Sequence, residues 1–147
     1  PVPAFFDYAA TKEAMWRERS IQRVLAKQDA VDTAVFGVGA FGSPVPSHVY
    51  TGGYLDRPQV VKLLEEGVVG DVCTVMLRGD GTDRGISLNE RASGMTPARL
   101  RRIPRRLCVA AGVAKADGVV AALRAHVVTH LIIDSDLGRA VARRLEA

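Results

Sequence analysis

The sequence predicts an α/β protein: a mostly parallel sheet with helices on both faces. Strand-like segments alternate with helical segments of ten residues or more, the order that successive βαβ units produce. The strand segments "DVCTVMLR", "RRLCVAAG" and "VTHLIID" are continuous apolar runs with no polar alternation, the pattern of strands buried on two faces. The chain has 147 residues, 48% of them hydrophobic and 24% charged, which suits one domain with a sizeable core.

Each element follows from local chemistry. Residues 11–28 read as a helix. Thr11 is placed to cap it, and Ala14, Ile21, Val24 and Leu25 recur at helical spacing. In "DTAVFGVGAFG" a short buried strand over 34–36 breaks at Gly37. Residues 57–66 form a helix with Pro58 in its first turn and Gly67 as its stop. The segment 71–78 reads as one strand, "GDGTDRG" as a hairpin-like turn and "ISLNE" as a further short strand. Thr96 caps a helical turn over 97–102. A strand over 105–112, a helix over 115–125, a strand over 128–134 and a closing helix over 135–145 complete the series.

Several functions are excluded at this level. No apolar run reaches the ~18–20 residues of a membrane span, and no charged stretch precedes an apolar one as in a signal peptide. Cys73 and Cys108 lie inside apolar runs, as core thiols of a reducing compartment do. No histidine stands at ligand spacing from either, so neither a metal nor a cofactor is expected. His48, His126 and His130 are scattered and define no catalytic triad. The net charge of +4 permits an anionic partner. The densest basic stretch, "RLRRIPRR", carries Arg99, Arg101, Arg102, Arg105 and Arg106. No aromatics interleave with it, so it reads as a solvated surface rather than a nucleic-acid site; attraction of a phosphorylated small molecule or of an acidic neighbouring subunit stays open. The chain opens at Pro1 with no strand before it, and an N-terminally truncated domain is expected.

Ligands of parallel sheets sit beyond the carboxyl ends of the strands, which directs attention to four strand ends, at 37–39, 78–80, 112–115 and 134–135, and to Asp71 just before the second strand. "GVGAFG" holds Gly37, Gly39 and Gly42 in a formal G-x-G-x-x-G, but Pro44 and Pro46 forbid the helix that a dinucleotide fingerprint needs. A flexible glycine loop remains, able to bring backbone N–H groups to an anion or a sugar hydroxyl. Asp71, after Gly70, can accept from sugar hydroxyls or cap a turn through its own backbone; both readings stay open. The third strand end holds Gly112 and Lys115, one of only four lysines against sixteen arginines. A cation at a helix start opposes the helix dipole, and a bound phosphate there would resolve the conflict. A Schiff-base role for this lysine is chemically open. At the fourth strand end, Asp134, like Asp71, is a carboxylate that an enzyme could use as a base, yet neither has a visible partner.

The segments "VFGVGAFGSP", "EEGVVGDVCTVML", "ISLNE", "LRRIPRRLCVAAGVAKADGVVAALRAHVVTHLIID" and "DLGRAVARRLE" resemble the effector-binding domain of the SorC family of bacterial transcriptional regulators, relatives of the DeoR-type repressors. The resemblance implies a Rossmann-like fold similar to sugar-phosphate isomerases and CoA transferases. It implies a phosphorylated sugar or related polyol as effector and a homo-oligomer, dimer or tetramer, in the cytoplasm. DNA would be contacted only through a preceding helix-turn-helix domain. It assigns the phosphate to Lys115 and places Gly37, Gly39, Gly42, Asp71 and Gly112 at the ligand. One glycine of the family's "GGxxK" turn is replaced, by Ala111. The alternatives are a sugar-phosphate isomerase-like enzyme and a degenerate domain that only oligomerises.

Overall fold

The computed structural model describes residues 2–41 and 47–146. Two three-stranded sheets share a central helix. The parallel sheet has the order β1-β5-β6, with β1 at Thr33–Phe36, β5 at Arg105–Ala110 and β6 at His130–Ile133. The second sheet is antiparallel: β2 at Val38–Ala40, β3 at Val68–Val72 and β4 at Val75–Arg78. Helix α7, Ala116–Arg124, lies between the sheets. It packs on β2, β3 and β4 and on the closing helix α8, Ser135–Glu146. Its residues Ala116, Gly118, Val119, Val120, Ala121 and Ala122 are all buried. The main core joins this helix to Phe36, Cys108 and Ala110 of the parallel sheet and to Leu137, Ala140 and Val141 of α8. A second core gathers Phe5, Val49, Leu63, Val75, Met76, Ile86 and Leu88 on the far side of the antiparallel sheet. The α/β class and the βαβ unit β5–α7–β6 agree with the sequence reading.

Most element boundaries also agree. Helix α4, Arg57–Glu65, has Pro58 in its first turn and a capping box between Asp56 and Gln59. Gly67, with φ of 77°, ends its extension. Thr96 caps α6, Pro97–Leu100, by accepting from the N–H of Arg99.

Four expectations need correction. The helix over 11–28 is two helices, α1 at Ala9–Trp16 and α2 at Arg19–Asp29. The chain turns extended at Glu18, and Trp16 sets its ring edge-on against Phe6 at 5.7 Å. Thr11 is not the cap; Tyr8 holds that position. The "ISLNE" strand is a helix, α5 at Ser87–Arg91. Its Asn89 side chain accepts from Met76 N–H at 2.7 Å and donates to Met76 C=O at 3.0 Å. The amide thus occupies the open hydrogen-bonding edge of β4 in place of another strand. The outer face of the parallel sheet carries no helix among the described residues. Val35, Val109 and Ile132 stand there, 68%, 45% and 54% exposed.

The fourth correction is the most instructive. The single strand predicted over 71–78 folds back at Cys73–Thr74, and Val72 pairs with Val75. A two-residue hairpin of this kind needs positive φ at both turn residues, which usually calls for Asn-Gly. Here Cys73 and Thr74 adopt φ of 51° and 66°, a conformation that a β-branched residue rarely adopts. The turn is accommodated by Gly94, where a Cβ would lie 1.5 Å from the Cys73 carbonyl oxygen. Thr74 Oγ1 is buried with no hydrogen-bond partner among the described residues.

Thr74→Gly is therefore expected to stabilise the chain by about 1 kcal/mol, since left-handed strain in a non-glycine residue costs of order 1–3 kcal/mol. Gly94→Ala is expected to destabilise it by about 2–3 kcal/mol through overpacking against backbone. Urea unfolding of both variants checks the pair; a destabilised Thr74→Gly would refute the strain assignment.

Candidate functional site

Pairing of β2 with β3 sets Gly39 opposite Asp71. Asp71 is the one charged residue buried among the described residues, at 5% exposure. Its carboxylate folds over Gly39, where a Cβ would lie 1.8 Å from Oδ1. Gly70 beside it leaves no room either: a Cβ there would meet the Gly39 carbonyl oxygen at 2.2 Å. A Cβ on Gly118 would meet Val38 Cγ1 at 2.6 Å. Three glycines thus let β2, β3 and the start of α7 close around the carboxylate.

Asp71 accepts hydrogen bonds from the side chains of Ser47 and Tyr50 and from the Thr74 N–H, and feels the charge of Lys115. Oδ1 has no hydrogen-bond partner among the described residues. Burial outweighs these favourable terms and raises the Asp71 pKa above the ordinary aspartate range. Tyr50, largely buried beside it, has its own pKa raised by burial and by Asp71. Its ring stacks on Phe41 at 4.1 Å. Ser47 and Tyr50 carry no motif, and the sequence offers no signal that either would face a carboxylate 20 or more residues away.

Lys115 ends a 3-10 turn, Val113–Lys115, and serves as the N-cap of α7. Its ammonium donates to the Val38 carbonyl at 2.9 Å. The chain itself thus supplies an oxygen for a cation that the helix dipole disfavours. Among the described residues one of the three ammonium donors is used, which leaves two. Gly112, with φ of 90°, turns the chain out of β5, and its N–H donates to Asp134 Oδ2 at 2.7 Å. Asp134 Oδ1 accepts from the N–H groups of Asp136 and Leu137 at the start of α8. These backbone donors hold Asp134 below the usual carboxylate range. Asp134 is consequently a clamp between two loops.

A cleft of about 750 Å³ opens over the carboxyl ends of β5 and β6. Its lining runs from Val109 to Lys115 and from Ile132 to Asp134. Lys115 therefore belongs both to the cleft and to the Asp71 cluster. Of the predicted site residues, Gly39, Asp71 and Lys115 are brought together and Gly112 forms the rim. Gly37 is an exposed link between β1 and β2, and Gly42 lies outside the described residues. The expected glycine loop is strand from Val38 to Ala40. His48 also falls in a part whose side chain the structure does not describe.

The arginine cluster is largely engaged within the chain. Arg99 binds Asp29 at 2.8 Å and the Leu25 carbonyl, Arg101 the Ala125 carbonyl, Arg105 Asp32 and Arg106 the Ile103 carbonyl. Cys73 and Cys108 are free thiols, pushed up to about 11 by burial. Among the described residues no group of three or more metal-binding side chains converges, and no helix is long and apolar enough to cross a membrane.

A parallel α/β layer with a lysine-bearing strand-to-helix turn and a buried carboxylate defines a small-molecule binding domain. The Sugar-bind family model, a sugar-binding domain, matches residues 1–142. The chain belongs to that family. It is 29% identical over 142 residues to the transcriptional regulator LsrR of Klebsiella pneumoniae, covering 96% of this chain and 44% of that protein. It is 28% identical over 145 residues to the deoxyribonucleoside regulator of Bacillus subtilis, covering 99% and 45%. Among solved structures, a domain of a possible sugar-binding transcriptional regulator from Arthrobacter aurescens superposes with a TM-score of 0.87 at 50% identity. That match covers 97% of this chain and 55% of the other. The full-length sorbitol operon regulator SorC of Klebsiella pneumoniae shares the fold, with a TM-score of 0.82 at 19% identity. The chain thus spans about half the length of these relatives.

The raised pKa of Asp71 means that the folded chain binds its proton more tightly than the unfolded chain does. Its contribution to stability is complete at acid pH and is lost as pH rises through the folded value. Asp71→Asn should therefore gain stability relative to the parent as pH rises from about 4, the ordinary aspartate value, towards neutrality. Urea unfolding across that range checks this; a difference that does not change with pH would contradict it.

Proposed function

We propose that this chain is the effector-sensing part of a cytoplasmic bacterial transcription regulator and that its effector is a phosphorylated sugar or a related polyol. The observation that carries the reading is Lys115. It stands at the rim of the cleft, at a helix start, with two donors uncommitted among the described residues and the buried Asp71 behind it. A phosphate on the rim would take those donors and the positive end of α7. Asp71 Oδ1, which lacks a partner among the described residues, would accept from a sugar hydroxyl reaching inward. The arrangement is a binding constellation: each polar group fixes a ligand atom, and none is paired as nucleophile with base.

The absence of catalysis in this reading rests on how the carboxylates are used. Asp134 is committed to three backbone N–H groups. Asp71 is buried among hydroxyls, with no histidine in its hydrogen-bond set. The family membership and the regulator names of the relatives support a sensing role. The regulator would act as a homo-oligomer and contact DNA through a separate N-terminal domain. The engagement of Arg99, Arg101, Arg105 and Arg106 within the chain speaks against DNA contact through this surface.

Lys115→Ala in the whole regulator should weaken binding of a phosphorylated sugar by about 1.5–3 kcal/mol, the worth of a charge-assisted hydrogen bond. Binding of the same sugar without its phosphate should hardly change. Calorimetry over a panel of pentose, deoxypentose, hexose and hexitol phosphates, with their unphosphorylated forms, makes the measurement. Equal loss for both forms, or none for either, would exclude Lys115 as the phosphate ligand; turnover of a bound sugar would favour the isomerase-like alternative.

A further inference from the structure

Helix α4, Arg57–Glu65, packs Leu63 into the second core and turns its opposite face to solvent. With ~3.6 residues per turn, Arg57, Val61 and Glu65 follow one another at every fourth position and make one ridge along that face. All three are exposed. Val61, and Leu64 beside the ridge, are 52% and 51% exposed. The ridge therefore has an apolar centre with a cation at one end and an anion at the other.

The two charges stand against local preference. Arg57 is the first helical residue and Glu65 the last. A cation at a helix start and an anion at a helix end both oppose the helix dipole. Neither side chain lies within ion-pair distance of an opposite charge among the described residues. They cannot meet each other, because eight residues of helix hold them about 12 Å apart. The neighbouring ridge behaves differently: Lys62 and Glu66 are one turn apart and meet at 4.0 Å. Asp56, just before the helix, commits its carboxylate to the N–H of Gln59 at 2.8 Å. Arg57 and Glu65 thus form a charge pattern that one copy of α4 cannot neutralise.

A second copy neutralises it. Laid antiparallel about a twofold axis at Val61, Arg57, four residues before the axis, meets Glu65, four residues after it, and the pair occurs twice. Each charge then also lies near the end of the opposite helix that suits its sign. Ridges of every fourth residue are the ones that interdigitate in the commonest class of helix packing. We propose that the exposed face of α4 is a contact between two copies of this chain, an antiparallel helix pair with Val61 and Leu64 at its centre and an Arg57–Glu65 ion pair at each end. The inference rests on the homo-oligomer reading and gives it a surface. One helix of nine residues presents well under the ~800 Å² per partner of a stable interface, so the contact is weak and reversible.

Charge reversal makes the test specific. Arg57→Glu and Glu65→Arg each put a charge at the helix end that favours it, so neither change costs the fold, and far-ultraviolet circular dichroism checks this. Sedimentation equilibrium of the 147-residue chain, at low salt to limit screening, is expected to show dimer that grows with concentration. Each single variant sets like charges opposite one another at both ends of the pair and should dimerise at least about tenfold more weakly. Mixed in equal amounts, the two variants restore both ion pairs across one heterodimer, and the mixture should associate about as well as the parent. Three results would overturn the proposal: a parent that stays monomeric, association that the reversals leave unchanged, or a mixture no stronger than either variant alone. Association that ignores the reversals means that the copies meet on another face. Light scattering of the whole regulator separates this failure from that of the broader reading. An oligomeric regulator whose reversed α4 charges change nothing would overturn the α4 contact alone, whereas a monomeric regulator would overturn both.

Discussion

The burial of one carboxylate organises the region around it. Asp71 occupies a strand position in the middle of an antiparallel sheet, and its side chain lies over the facing residue instead of pointing to water. That is possible only because the facing residue is Gly39. The same constraint passes to Gly70 and Gly118, whose missing Cβ atoms let β3 and α7 approach the β2 backbone. α7 in turn brings Lys115 to the carbonyl of Val38, one residue from the glycine that Asp71 covers. The carboxylate, the cation and the helix start are thus fixed to one short strand. Displacing β2 would move all of them.

Much of this was legible in the sequence, and the illegible part has physical causes. The glycine, proline and capping signals at Gly67, Pro58 and Thr96 act locally, so they placed helix ends correctly. Lys115 and Asp71 could be picked out because charged residues are rare next to apolar strands. The hairpin at Cys73–Thr74 could not, because its two residues adopt positive φ against their own preference and the compensation sits at Gly94, far along the chain. The "ISLNE" segment reads as a strand by composition, yet Asn89 is used as a substitute strand edge, which depends on the position of Met76. Ser47 and Tyr50 were missed for the same reason. Their role exists only once the loop returns to Asp71.

Charge in this chain is mostly managed internally. The arginine-rich stretch is tied to Asp29, Asp32 and several carbonyls. Asp134 is drawn into backbone N–H groups. Asp71 by contrast has an oxygen that nothing in the described chain satisfies, as has Glu66 away from the cleft. A buried polar atom left unpaired costs of order 1–3 kcal/mol, a cost that a ligand hydroxyl would remove on binding. The α/β frame supplies rigidity, and the proposed sensing site joins the seam between β2, β3 and the start of α7 to the cleft over β5 and β6.

With only four lysines in the chain, the central claim has a direct readout. The measurement is a nitrogen-detected nuclear magnetic resonance titration of the ¹⁵N-lysine-labelled regulator, in which loss of a signal in Lys115→Arg assigns Lys115, with a sugar phosphate that stabilises it. The account predicts a saturable shift of the Lys115 ammonium, matched by the amide of Thr74 beside Asp71 in uniformly labelled protein, with Lys12, Lys27 and Lys62 unmoved. Saturable shifts confined to the Arg99–Arg106 surface, with Lys115 and Thr74 unmoved, would contradict it.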